Sequence, residues 1–182
     1  MSLTDILKTQ STWTYNIMKS SSNLGEIIRE DAITSVNLAE INDQSTAQNL
    51  GLGTTSLQGA KLEIEFGGDW IWNYKDTVLL IQAKKLDVVN KFPFYTIDIN
   101  QMNTLIATTK NGYFGTTPAI PLYVFYNSYA NETPSDFGCT MINATTLQTQ
   151  LTLTGQINQK TAQVSPTQMQ AAGWAPWWQI FA

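Results

Sequence analysis

Apolar positions recur at helical spacing near the N-terminus and at strand spacing through the middle of the chain. Over Leu3 to Lys19, Ile6, Leu7, Ile17 and Met18 fall near one face with Trp13 between them, which predicts a helix. Ser20, Ser21, Ser22 and Asn23 predict a break. A second helix is expected from Leu24 to about Ile41, with Leu24, Ile27, Ile28 and Val36 as much of its apolar stripe. Glu26, Glu30, Thr34 and Asn37 are expected on a separate polar face. Asn42 to Gly53 is polar and reads as a loop. Ala60 to Phe66 alternates: Ala60, Leu62, Ile64 and Phe66 against Lys61, Glu63 and Glu65. That predicts a half-buried strand with the acids on a solvated face. Gly67-Gly68 breaks it.

Asp69 to Asn73 and Val78 to Lys84 then read as two strands joined by a polar turn, and Ala60 to Phe66 is expected in their sheet. The second is apolar until Gln82, the pattern of an interior strand. Asp98 to Thr109 predicts a helix with Met102, Leu105 and Ile106 inward, and Pro121 to Tyr126 a strong strand. Gly138 to Met141 reads as a short strand. Leu147 to Leu153 fits either type, and the Trp-rich end, Trp174 to Phe181, is expected to dock onto the core. The order α-α-β-β-β-α-β predicts an α/β fold, a mixed central sheet flanked by helices. The whole chain, 1–182, is read as one domain with a core at about 24–127 and a C-terminal extension at 128–182.

One strand carries the polar chemistry. Gln82 and Lys84 are two residues apart and share a face. A lysine at the end of an interior strand needs a partner. If Asn73 pairs with Val78, antiparallel counting sets Asp69 opposite Gln82 and near Lys84.

Composition narrows the chemistry. No histidine occurs among the 182 residues, which removes histidine-based triads, histidine general bases and most zinc sites. Cys139 is the single cysteine, expected to be a small reduced core residue with no intrachain disulfide. The net charge is −4, so nucleic-acid binding would need a local basic patch such as Lys84-Lys85, Lys91 and Lys110. No apolar run approaches the ~18 residues of a membrane span, and Met1 to Gln10 lacks a signal pattern; a cytoplasmic protein is expected.

An aspartate at a strand start followed by a strand ending in Gln-x-Lys resembles the PD-(D/E)xK nuclease superfamily, in its Mrr-type variant. More closely, the chain resembles the uncharacterised bacterial family DUF6615. The matching segments are Glu30 with Thr34, Gly67-Gly68-Asp69-Trp70-Ile71-Trp72, Leu80-Ile81-Gln82-Ala83-Lys84-Lys85-Leu86, Gln101 with Leu105-Ile106, and Pro121-Leu122-Tyr123-Val124-Phe125-Tyr126. The resemblance implies a restriction-endonuclease-like fold and a metal-dependent nuclease acting on DNA, in defence against foreign DNA. It implies Asp69 and Gln82 as ligands of Mg²⁺ or Mn²⁺, with a backbone carbonyl near Ala83. Lys84 would orient water and stabilise phosphate charge, and Glu30 would complete the metal shell. Ile71 stands where that family commonly has an acid; Glu63 or Glu65 is the candidate replacement. DNA is the candidate partner and a homodimer the candidate assembly. The second reading is a catalytically inactive nuclease-like module that binds nucleic acid or a protein.

Overall fold

The computed structural model describes residues 1–128 and 133–182. Helices α1 (Leu3–Asn23) and α2 (Glu30–Ala47) precede β1 (Leu52–Ser56), α3 (Ala60–Phe66), β2 (Trp70–Tyr74) and β3 (Thr77–Lys85). Strands β4 (Asp87–Val89) and β5 (Phe92–Asp98) lead into α4 (Ile99–Lys110) and β6 (Ala119–Tyr126). Then come α5 (Pro134–Phe137), β7 (Cys139–Asn143), α6 (Ala144–Leu153), β8 (Thr161–Val164), α7 (Pro166–Ala171), β9 (Ala175–Pro176) and a 3₁₀ turn, Trp177–Phe181. The main sheet has the order β1-β2-β3-β6-β7-β9, and β4-β5-β8 form a smaller second sheet. The architecture is mixed α/β: β3 and β6 pair in parallel while their outer neighbours pair antiparallel.

The interior strand is where its apolar run places it, between β2 and β6. Leu80, Ile81 and Ala83 have no exposed surface. The hairpin register also follows the expectation: Asn73 pairs with Val78 and Trp70 with Ile81. The C-terminal Trp cluster docks as expected. Trp177 is buried, stands 6.0 Å from Trp72 between ring centres, and donates Nε1–H to the Leu7 carbonyl at 2.8 Å. Cys139 is a buried free thiol.

Three expectations are corrected. Ala60–Phe66 is a helix, not a strand of the sheet. β1 occupies the place beside β2, pairing Thr54 with Trp72. Glycines bound the segment: the Glu63 amide donates to Gly59 O, and Gly67 caps the other end at φ +72. Wound as a helix, the alternating apolar residues separate: Phe66 is buried and Ile64 is exposed. The second correction concerns the first loop. α1 runs on through the serines to Asn23, Gly25 turns the chain at φ +73, and α2 starts only at Glu30. Leu24 and Ile27 are therefore exposed loop residues, while Thr34 and Asn37, expected on the polar face, are buried. Thirdly, the expected loop 42–53 is divided between the end of α2 and the start of β1. The segment left open, Leu147 to Leu153, is helical within α6.

Candidate functional site

The site is built at the end of the β2–β3 hairpin. Asp69 sits one residue before β2, and backbone bonds hold it on both sides. Its amide donates to Ile81 O at 2.7 Å, and its carbonyl accepts from the Leu57 amide at 2.8 Å. The preceding turn is tight. A Cβ on Gly67 would fall 2.5 Å from the Leu105 amide nitrogen and 2.6 Å from Gln101 O, so α4 approaches where only glycine fits.

Held this way, the Asp69 carboxylate meets the opposing strand. Its Oδ2 accepts from the Ala83 amide and from Gln82 Nε2, both at 2.7 Å. Burial pushes the Asp69 carboxyl up to about 7. The Ala83 bond and the Lys84 charge oppose that rise; the charges of Glu30 and Glu63 add to it. The bond to Asp69 also orients Gln82. With its amide nitrogen turned to the carboxylate and, at 3.0 Å, to Ala83 O, its Oε1 is left buried with no partner among the described residues. Tyr123 pairs with Gln82 in register on β6 and has a second buried, unpartnered polar atom, its hydroxyl.

Glu30 joins from a different element. As the first residue of α2, it accepts the Lys85 amide on Oε2 at 2.6 Å and lies 3.6 Å from Lys84 Nζ through Oε1. Burial raises its carboxyl, against the opposing effects of Lys84 and the Lys85 amide. Sequence reasoning placed Glu30 on a polar helix face near Lys84. The structure brings them together, but from the helix's first turn.

A cleft of about 600 Å³ opens here, lined by Arg29, Glu30, Asp31, Ala32, Thr34, Ser35, Gln58, Gly59, Glu63 and Asp69. Gln82 and Lys84 are not among the lining residues; Asp69 and Glu30 are the members of the expected set that face the cleft. Glu63 reaches it because Ala60–Phe66 is helical, and Gln101 Nε2 donates to its Oε1 at 3.2 Å. Glu65 and Lys61 are exposed, and neither lines the cleft. Arg29 carries the one positive charge among the lining side chains and is ion-paired with Asp31 at 3.0 Å. Nothing in the sequence singled out Arg29, and Tyr123 entered only as a member of the strand segment Pro121 to Tyr126. The Gln82–Tyr123 pairing joins residues 41 positions apart across a parallel crossover, which no local pattern reports.

The donors suit a hard cation with few protein ligands. Mg²⁺ is held by one or two carboxylates and keeps several waters. Asp69 supplies one carboxylate, and the bare Oε1 of Gln82 is a neutral oxygen in need of a partner. Among the described residues no group of three His, Cys, Asp or Glu could hold a metal ion. Among the described residues, too, no helix is long and apolar enough to cross a membrane.

No curated protein matches the chain. Residues 3–182 match the family of unknown function DUF6615, and the chain belongs to that family.

Proposed function

We propose that the protein is a metal-dependent nuclease that hydrolyses phosphodiester bonds of DNA, with a restriction-endonuclease-like fold. The observation that carries this reading is the convergence of Asp69 from the turn before β2, Gln82 and Lys84 from β3, and Glu30 from α2, beside an open cleft. Asp69 and Gln82 would hold Mg²⁺ or Mn²⁺. Such an ion, when bound, acts as a Lewis acid on phosphoryl oxygen and makes water a stronger nucleophile. Asp69 offers that cleft a carboxylate fixed by two hydrogen bonds, one from the Ala83 backbone and one from the Gln82 side chain. Glu30 positions the Lys84 ammonium and pins the β3 backbone at Lys85. Lys84 is the cation available to orient water and to stabilise charge developing on phosphate. A cytoplasmic setting suits the lone buried thiol of Cys139.

A second reading has its own support. Lys84 is held by Glu30, and neither Lys84 nor Gln82 lines the cleft. Ile71, on the strand face that carries Asp69, is buried and apolar. A catalytically inactive module that binds nucleic acid or a protein partner fits those facts.

Cleavage of plasmid and single-stranded DNA, with Mg²⁺ or Mn²⁺ titrated in, separates the two readings. Wild type should cleave, and Lys84→Ala should lose on the order of 100-fold or more in rate while its unfolding curve keeps a single cooperative step. DNA binding by wild type with no metal-dependent cleavage would select the inactive module.

A further inference from the structure

The cleft gathers carboxylates and provides little to balance them. Glu30, Glu63 and Asp69 all line it, and its one lining cation, Arg29, is already paired with Asp31. Like charges brought together in a partly buried space repel. The protein nevertheless holds Glu63 in place. Gln101 on α4 donates to Glu63 Oε1 at 3.2 Å, and the Gly67 turn sets α3 against α4 at van der Waals limits. Among the described residues, Oε2 of Glu63 has no hydrogen bond. Glu65, two residues along the same short helix and so on its opposite side, lines no part of the cleft. Beside Asp69, Gln82 Oε1 is fully buried and unpartnered, a second oxygen in want of a positive partner.

We propose that Glu63, clamped by Gln101, is a positioning residue for a hydrated divalent cation held at Asp69 and Gln82. It accepts hydrogen bonds from the ion's water shell and offsets the ion's charge across the cleft. This role rests on the metal-dependent reading above. It explains why a helix replaces the strand that the alternating sequence of Ala60–Phe66 suggests: the helix turns Glu63 toward the cleft and leaves Glu65 outside it. Outer-shell groups of this kind commonly change metal affinity by about 10- to 100-fold.

The test is Mn²⁺ binding to the full chain, followed by electron paramagnetic resonance and calorimetry without DNA. Thermal unfolding of each variant checks that it is folded. Asp69→Asn should abolish binding. Glu63→Gln should weaken it about 10-fold or more, and Gln101→Ala should weaken it in the same direction. The Glu63→Gln/Gln101→Ala double variant should bind no worse than Glu63→Gln alone, because Gln101 acts only through Glu63. Glu65→Gln should bind as wild type does. Wild-type affinity in Glu63→Gln, with binding lost in Asp69→Asn, overturns the role of Glu63 and leaves the metal site standing. Equal weakening by Glu65→Gln overturns it too, since any nearby charge would then suffice. A wild-type chain that takes up no Mn²⁺ overturns both the inference and the metal-dependent reading.

Discussion

Two groups of buried polar side chains sit against the main sheet, and they are finished to different degrees. Where α1 meets α2 and β7, Asn37 Nδ2 donates to Thr14 Oγ1 at 2.9 Å. The Cys139 amide donates to Ser11 Oγ at 2.8 Å, and that hydroxyl donates onward to Pro134 O at 3.0 Å. Every buried polar atom of Ser11, Thr14 and Asn37 has a partner. At the end of the β2–β3 hairpin, Gln82 Oε1 and the Tyr123 hydroxyl have none among the described residues, and burial pushes the Asp69 carboxyl up to about 7. A satisfied network specifies a core. An unsatisfied one beside a cleft has capacity left for a ligand. The contrast matters more than either group alone, since buried side-chain polarity in this chain is not in itself a mark of function.

The comparison can be broken most severely at Gly67. A Cβ there meets backbone atoms of α4 on a residue already at positive φ, so Gly67→Ala should cost about 2–4 kcal/mol. Its effect should reach Mn²⁺ binding, because that turn joins Glu63 to Asp69; denaturant unfolding and calorimetry read the two. Asn37→Ala comes next. It removes the α2 partner of Thr14 in the core and should cost about 1–3 kcal/mol, with Mn²⁺ affinity unchanged in the folded protein. Altered metal affinity there would mean that the two groups are not independent.

The smallest effect has the opposite sign. The carboxyl of Asp69 is raised in the folded chain, so between about 4 and 7 the folded protein keeps a proton that the unfolded chain has released. Stability from this group is therefore present at low pH and lost as pH rises through 7. Asp69→Asn, neutral throughout, should match wild type near pH 4. It should unfold a few degrees higher at pH 8.5, on the scale of about 1 kcal/mol. Melting curves at both pH values decide it; an Asp69→Asn chain less stable at pH 8.5 would show that the carboxylate is held charged at no net cost.

How much of this was legible depended on distance along the chain. The hairpin register could be counted because Asn73 and Val78 are joined by one short turn. Gln82 and Lys84 shared a face by strand geometry, whereas Glu30 entered only through the family resemblance. Ala60–Phe66 misled because its alternation satisfies a strand, whereas its fate was settled by β1 taking the place beside β2 and by glycines at both ends. The start of α2 was missed because apolar Leu24, Ile27 and Ile28 imitate a stripe, while Gly25 at positive φ ends that possibility. The smaller sheet was out of reach: Tyr95 pairs with Val164, and neither strand carries a pattern that names its partner.

The hydrogen bond from Trp177 to Leu7 ties together residues 170 positions apart, and it bears on the order in which the molecule can be completed during synthesis. At about 5–20 residues per second, the hairpin carrying Asp69 and Gln82 leaves the ribosome several seconds before Trp177 exists. Through that interval Trp72 lacks the ring that later packs on it, and the Leu7 carbonyl lacks its donor. Strands β7 and β9, which finish the sheet beyond β6, are also still missing or unpaired. The nascent chain therefore displays a nearly complete site on an unfinished support, with aromatic surface open to neighbours. Its yield should respond to chaperones and to translation speed over the codons for Cys139 to Phe181.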